Sequence, residues 1–453
     1  MRELIRLAWP VFVAQVAVMA NGLIDTLMAG RLSATDLAAV GVGSAIYASL
    51  FISITGILLA LSPTVAHLQG ARQYGEIGEQ VRQAGWLAAA LALLTVLLLA
   101  FPDPLLAIAR LSPEVALKVR AYLDAMAWGA PAILVFRVFY GFSAGIGRPR
   151  PVMVLNLLGL ALKVPLNWLF MSGLFGLPAL GAAGCGVASS LIAWTLAVLA
   201  WVWCRRQEDY RRYALFARWS WPERTRLAAL ARLGLPIGAT FLVDVTAFTF
   251  MALFIARFGA VASAAHQIAA SLAALFFMMP TAIGHAAGVL VGQALGRNQA
   301  AAARRAGLTG FRLGFGCALV LASLLALGSG SIAALYTRDG AVRALASQLL
   351  LLVALYHLAD AIQAVAVYLL RSYRKALVPM TIYALALWGV GLGGGVMLGL
   401  DGIGGMIGLG WGPAGFWWAA IGGLWLAGLA VAAYWWRIAR NAQNAVAPSA
   451  TSP

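Results

Sequence analysis

The chain has 453 residues, of which 62% are hydrophobic and only 10% charged. Soluble globular proteins carry about 25% charged residues, so this composition excludes a water-exposed enzyme domain and points to a surface that faces lipid. The net charge of +17 follows from Lys and Arg gathered in membrane loops. No basic stripe with interleaved aromatics occurs on a soluble domain, so nucleic acid is not an expected partner.

Apolar runs near the roughly 20 residues needed to cross a bilayer recur along the whole chain. They fall at 7–29, 39–66, 84–101, 118–143, 152–171 and 181–204, then at 229–256, 262–292, 307–327, 344–370, 376–398 and 413–436. Ala17-Val18-Met19-Ala20 loosely fits a signal-peptidase site, but the apolar run continues past it, so the first run reads as an uncleaved span. The expected fold is therefore all-α: a polytopic membrane protein of twelve transmembrane helices.

Between spans six and seven lies a basic stretch with Arg205, Arg206, Arg211, Arg212, Arg218, Arg224 and Arg226. It divides the chain into a six-helix lobe at 1–204, a linker at 205–226 and a second six-helix lobe at 227–440. Residues 441–453 read as a short, disordered polar tail. With the N-terminus inside, most of the 32 Lys and Arg fall on the cytoplasmic side. The positive-inside rule then places both termini in the cytoplasm, with the inner membrane of a bacterium as the expected location.

The lobes repeat. A shift of 226 pairs Pro10 with Pro236, Arg31 with Arg257, Gly70 with Gly296 and Arg148 with Arg374. Two parallel six-helix repeats form a transporter architecture, with a ligand path expected between pseudo-symmetric lobes.

Ionisable groups inside a bilayer are costly and mark function. Asp25 lies in span 1, Asp244 in span 7 and Asp360 in span 10, and Lys163 and Arg137 lie in spans 5 and 4. At the 226 shift the acids meet Met251, Val18 and Leu134, so none has an acidic counterpart in the other half. Polar company stands at helical spacing. Asn21 is four before Asp25, Asn167 is four after Lys163 across Pro165, and Tyr356, His357 and Gln363 flank Asp360. A carboxylate among neutral oxygens suits Na⁺, whereas one in an apolar pocket suits a proton. Asp25, Asp244 and Asp360 are thus the candidate coupling-ion residues, with Na⁺ considered at Asp244 and Asp360. Lys163 is placed to neutralise Asp25, whereas Arg137 reads as snorkelling to the interface. His266 and His285 read as packing residues. Phe276-Phe277-Met278-Met279 offers a surface for flat cations. Trp417, Trp418, Trp435 and Trp436 fit interfacial belts.

The three cysteines are scattered. The only lysines are Lys118, Lys163 and Lys375, and none follows a glycine, so no phosphate-binding loop is present. With no nucleophile elbow and no zinc-protease motif, neither enzymatic activity nor a cofactor is expected.

The chain resembles the multidrug and toxic compound extrusion (MATE) family, closest to its bacterial norfloxacin-exporter branch. The resemblance runs from about Leu7 to about Arg437. It rests on Ala8-Trp9-Pro10, Asp25-Thr26-Leu27-Met28-Ala29-Gly30, Leu37-Ala38-Ala39-Val40, Gly147-Arg148-Pro149-Arg150-Pro151 and Gly184-Cys185-Gly186-Val187-Ala188. In the second half it rests on Gly234-Leu235-Pro236, Ala265-His266-Gln267-Ile268-Ala269, Val291-Gly292-Gln293-Ala294-Leu295-Gly296 and Asp360-Ala361-Ile362-Gln363. Gln267 joins the candidate cleft residues on this ground. The resemblance implies two lobes around a V-shaped cleft and alternating access. It further implies export of organic cations, dyes and fluoroquinolones against entering Na⁺ or H⁺. The family acids of spans 1, 7 and 10 match Asp25, Asp244 and Asp360.

Two departures stand out. The branch usually has Glu on span 7, where this chain has the shorter Asp244. Similar proteins carry Asn-x-Pro-x-Asn on span 5, where this chain reads Lys163-Val164-Pro165-Leu166-Asn167. The expectation is a monomeric antiporter of amphipathic organic cations in which Lys163 serves as a built-in cation and coupling falls to Asp244 and Asp360. Its four histidines and that lysine favour H⁺ over Na⁺. The alternatives are an exporter of one endogenous metabolite and a flippase for lipid-linked precursors.

Overall fold

The computed structural model describes residues 1–103, 106, 111–400 and 409–446. Twelve helices in it are long and apolar enough to cross a membrane. They are α1 (Arg2–Leu32), α2 (Ala34–Gly70), α3 (Tyr74–Ala100), α4 (Pro113–Gly145), α5 (Arg150–Ser172) and α6 (Ala182–Arg206). Then come α7 (Arg224–Ala256), α8 (Ala260–Gly296), α9 (Ala300–Tyr336), α10 (Gly340–Ser372), α11 (Leu377–Gly399) and α12 (Pro413–Val446). Among the described residues there is no strand. Most helices outrun the apolar stretches seen in the sequence, because their polar end turns continue the same backbone hydrogen bonding.

Local chemistry accounts for the interruptions. α2 breaks at Leu59–Ala60. Pro63 has no N–H for the Leu59 carbonyl and its ring crowds that carbonyl, so the chain tightens into short-range bonds from Leu59 N and Ala60 N to Gly56 O and Ile57 O. α11 widens into a π-helix over Leu385–Gly393. Ser33 caps α2 through the amide of Asp36, and Asp339 caps α10 through the amides of Ala341 and Val342. Asp36 also accepts from Ala182 N at 2.9 Å and pairs with Lys118 at 3.2 Å, which ties α2, α4 and α6 together.

The chain forms two compact units, Val13–Gly238 and Met1–Phe12 with Ala239–Pro453. The division differs from the expected lobes at 1–204 and 227–440. Leu4 and Ala8 pack with Ile283, Ala287, Val365 and Trp435 in the C-terminal unit, so the first turns of α1 belong there. The basic segment at 205–226 is part of the N-terminal unit and not a free linker. Asn441–Val446 continues α12, where a disordered tail was expected; residues 447–453 lie outside the described residues.

The N-terminal unit holds the segment between α6 and α7 through a buried acid. Glu79 accepts from Arg82 at 2.7 Å, Ser220 at 2.8 Å, Gln83 at 2.9 Å and Arg218 at 3.1 Å. Trp86 donates to Ser220 O and Gln83 to Trp221 O, both at 2.9 Å. Beyond Glu79, hydrogen bonds from Thr225 and Arg226 hold the exposed Glu223 carboxyl below its ordinary range. Part of the basic excess is thus spent in structure.

The repeat is visible in the backbone. α2 and α8 both end with a non-glycine residue in the left-handed region, Arg72 and Asn298, each followed by an amide that reaches back to the helix, Gln73 N to Leu68 O and Gln299 N to Ala294 O. α4 and α10 end on the same turn, with Gly147 and Arg374 at positive φ. That match lies one position from the sequence alignment, which pairs Arg148 with Arg374.

α4 and α10 are also among the most enclosed helices, with 61% and 78% of their apolar windows buried. Each forms the centre of its unit, where small residues allow close approach. A Cβ on Gly129 of α4 would meet Ser190 Cα of α6 at 2.8 Å, and one on Gly288 of α8 would meet Tyr368 O of α10 at 3.0 Å. Trp417 and Trp435 are buried on α12, whereas Trp418 and Trp436 are exposed. The pairs stand five turns apart, so each shares one face, and only the second pair fits an interfacial belt.

Replacing Gly288 with Val should destabilise the C-terminal unit by about 1–3 kcal/mol through overpacking. Thermal unfolding of purified protein should show a lower midpoint than Gly288→Ala, which should lie between Val and wild type. Glu79→Ala should release the segment it holds. Losing charge-assisted bonds of about 1.5–3 kcal/mol corresponds to at least tenfold faster trypsin cleavage after Arg218, read by gel in membrane vesicles.

Candidate functional site

Each unit holds one cluster of intramembrane charge. In the N-terminal unit, α1, α5 and α6 converge on Asp25. Lys163 and Asn167 are four apart and therefore reach the same side of α5. Lys163 Nζ lies 2.9 Å from Asp25 Oδ1, and Asn167 Nδ2 donates to the same oxygen at 2.6 Å. Lys163 is only 2% exposed and also donates to Ser189 Oγ on α6. Its charge is thus compensated by a carboxylate and a hydroxyl, as a buried ammonium requires. Asn21 Oδ1 and Asn167 Oδ1 have no partner among the described residues. Ser189 was not singled out in the sequence, and polar residues in an otherwise apolar span were its only signal.

The C-terminal unit is arranged differently. Asp244 on α7 is half-buried, and Tyr383 of α11 donates to its Oδ1 at 2.6 Å. At the preceding residue of α7, Trp388 Nε1, five positions after Tyr383 on α11, reaches Val243 O at 3.3 Å. α11 thus grips α7 on both sides of the start of its π-helical stretch, a deviation often found at functional sites. Asp360 on α10 is 4% exposed and lies within electrostatic reach of Asp244. No basic side chain pairs with either acid among the described residues. Two like charges within reach of each other in a low-dielectric region disfavour double ionisation.

Gln363 and Arg371 of α10 line a cavity of about 30 Å³ with Asp244, Thr281, Tyr368 and Tyr383. Phe277 of the Phe-Phe-Met-Met stripe contributes to the same wall. Tyr356 is buried edge-on to Trp417 at 5.8 Å and within electrostatic reach of both acids.

Not every expected residue joins this site. His357 packs on Phe276 at 5.5 Å, and its Nε2 is unpartnered among the described residues. It stands three positions before Asp360, about 60° round the helix axis, and its ring lies against Phe276 rather than an acid. Gln267 is exposed on α8. His266 packs 5.8 Å from Trp417 and His285 stacks on Tyr368 at 5.6 Å. Tyr383 and Arg371 are the residues the sequence did not single out. Arg371 falls on the face of Asp360, Gln363 and Val367, and that spacing was the signal for it. Among the described residues no three His, Cys, Asp or Glu side chains converge.

Comparisons with known proteins agree with the twofold architecture. The MatE family profile matches residues 10–169 and again 236–397. The "Probable multidrug resistance protein NorM" of Aromatoleum aromaticum is 43% identical over 391 residues, covering 86% of this chain and 84% of its own. "Multidrug resistance protein PmpM" of Pseudomonas aeruginosa is 39% identical, with 88% and 84% covered. A crystal structure of a MATE protein in the bent conformation superposes with a TM-score of 0.88 at 18% identity, over 98% of this chain and 96% of that one.

Removing the Asp25 carboxylate should leave Lys163 buried without its counter-charge. Asp25→Asn should cost about 3–5 kcal/mol, and adding Lys163→Met should recover most of that loss. Unfolding midpoints of the two single variants and the double variant check this directly.

Proposed function

Because the chain belongs to the MATE family of multidrug efflux transporters, we propose that it is an antiporter that exports amphipathic organic cations in exchange for entering H⁺ or Na⁺. The observation that carries this reading is the Asp244–Asp360 pair, two acids inside apolar spans with no basic partner among the described residues. In the N-terminal unit Asp25 is already held by Lys163.

In this reading Lys163 takes the place a mobile cation would take beside Asp25. Exchange then rests on the second unit. A proton or Na⁺ arriving from outside neutralises Asp244 and Asp360, which weakens their hold on an organic cation and favours its release. Loss of the ion to the cytoplasm restores the negative charge, and a new organic cation binds. Coupling of this kind requires that ion and drug compete or prefer different states of the protein. The buried histidines lie outside the acid pair, so the carboxylates themselves carry the exchange. One chain contains both repeats and suffices as the transporting unit. The bacterial relatives and the distribution of Lys and Arg support an inner-membrane location with cytoplasmic termini.

Ethidium efflux from drug-sensitive cells, under imposed pH or Na⁺ gradients, tests the reading. Efflux should follow one gradient, and Asp360→Asn should reduce it at least tenfold at equal membrane abundance. If protons are the coupling ion, wild-type efflux should speed up as the outside is acidified, because entry then runs downhill. Wild-type protein in the membrane that moves ethidium under neither gradient would sink the multidrug reading and favour export of a single metabolite or a lipid-linked precursor.

A further inference from the structure

Arg371 stands in the last turn of α10 and is 5% exposed. A guanidinium keeps its proton in proteins, so a full positive charge sits here away from water. Aromatic rings lie near its plane, Tyr368 with its centroid at 4.4 Å and Phe241 at 5.9 Å. The donors are less well served. Nε and Nη1 are buried and have no hydrogen-bond partner among the described residues. The acid that shares the cavity, Asp244, is engaged by Tyr383. The carbonyl end of a helix favours a nearby cation, which explains a charge at this place but leaves those donors unused. Unmade hydrogen bonds to a buried charge are expensive.

We propose that Arg371 is an anion-binding site, at which its free N–H donors take a single negative charge in the cavity shared with Asp244. The cavity admits a monatomic anion such as chloride, or the carboxylate tip of a larger molecule. The two sources share one chemistry. In the second case the cavity has opposite charges on its walls, which suits a substrate that carries an amine and a carboxylate together; that case rests on the export reading above, whereas the chloride case does not.

Thermal unfolding of purified protein in sodium chloride, against sodium gluconate at equal ionic strength, tests the first source. A ligand that binds only the folded state raises the unfolding midpoint with its concentration. Chloride should raise and saturate the wild-type midpoint, Arg371→Gln should remove that response, and Arg371→Lys should keep part of it. Equilibrium binding of norfloxacin and ethidium tests the second source. Arg371→Gln should raise the dissociation constant of norfloxacin, which carries a carboxylate, about tenfold more than that of ethidium, which has none. A chloride response lost in Arg371→Gln assigns a free halide, and a selective loss of norfloxacin without a chloride response assigns a carboxylate. Wild type with no chloride response, together with equal effects on the two drugs, overturns the proposal. Should Arg371→Gln fail to fold, the wild-type chloride titration and Arg371→Lys decide. Should wild type bind neither drug, the multidrug reading falls while the chloride titration still judges the site.

Discussion

A charge inside a hydrocarbon slab must be paired, hydrated or exchanged, because desolvating it costs several kcal/mol. Both units of this protein meet that constraint on the same six-helix scaffold, and they meet it in opposite ways. The N-terminal unit neutralises its acid permanently, with Lys163 and Asn167 converging on one oxygen of Asp25. The C-terminal unit sets Asp244 and Asp360 within electrostatic reach of each other, with no salt bridge to either among the described residues, and holds Asp244 by a tyrosine hydroxyl instead. A neutral donor orients a carboxylate without cancelling its charge.

The rest of the architecture supports this contrast. α4 and α10 occupy equivalent central positions and end on the same left-handed turn. They differ in cargo: α10 carries Asp360, Gln363 and Arg371 on one face, where the matching positions of α4 hold Leu134, Arg137 and Gly145. Glycines at the α4–α6 and α8–α10 crossings bring backbones close, and that proximity gives a side chain on α10 a fixed relation to its neighbours. The π-helical stretch of α11 adds a local change of pitch beside the two residues, Tyr383 and Trp388, that hold α7.

Outside the membrane, charge is used for cohesion. The basic segment after α6 is secured by Glu79, Glu76 and Asp209, so a stretch that reads as a linker is a fixed part of the N-terminal unit. Its acidic contacts give the segment a defined path.

Much of this was legible in the residue order. Apolar runs of spanning length set twelve helices, since backbone groups in lipid must bond within their own segment. The recurrence of Pro10, Arg31 and Gly70 in the second half announced the repeat. Helical spacing placed Lys163 and Asn167 on a common face, and rarity marked the three intramembrane acids. Other features depend on which helix lies against which, and one-dimensional spacing carries no such information. Tyr383 becomes a partner of Asp244 only because α11 packs on α7, and His357 turns to Phe276 although it stands three residues from Asp360. Trp417 and Trp435 are core residues where neighbouring Trp418 and Trp436 are exposed. The sequence by itself determined the number of helices, their repeat and the identity of the buried charges, because a bilayer penalises every exposed polar group. Tertiary structure alone decided which charges are paired and which stand free, because pairing is a matter of a few ångströms across helices distant in the chain.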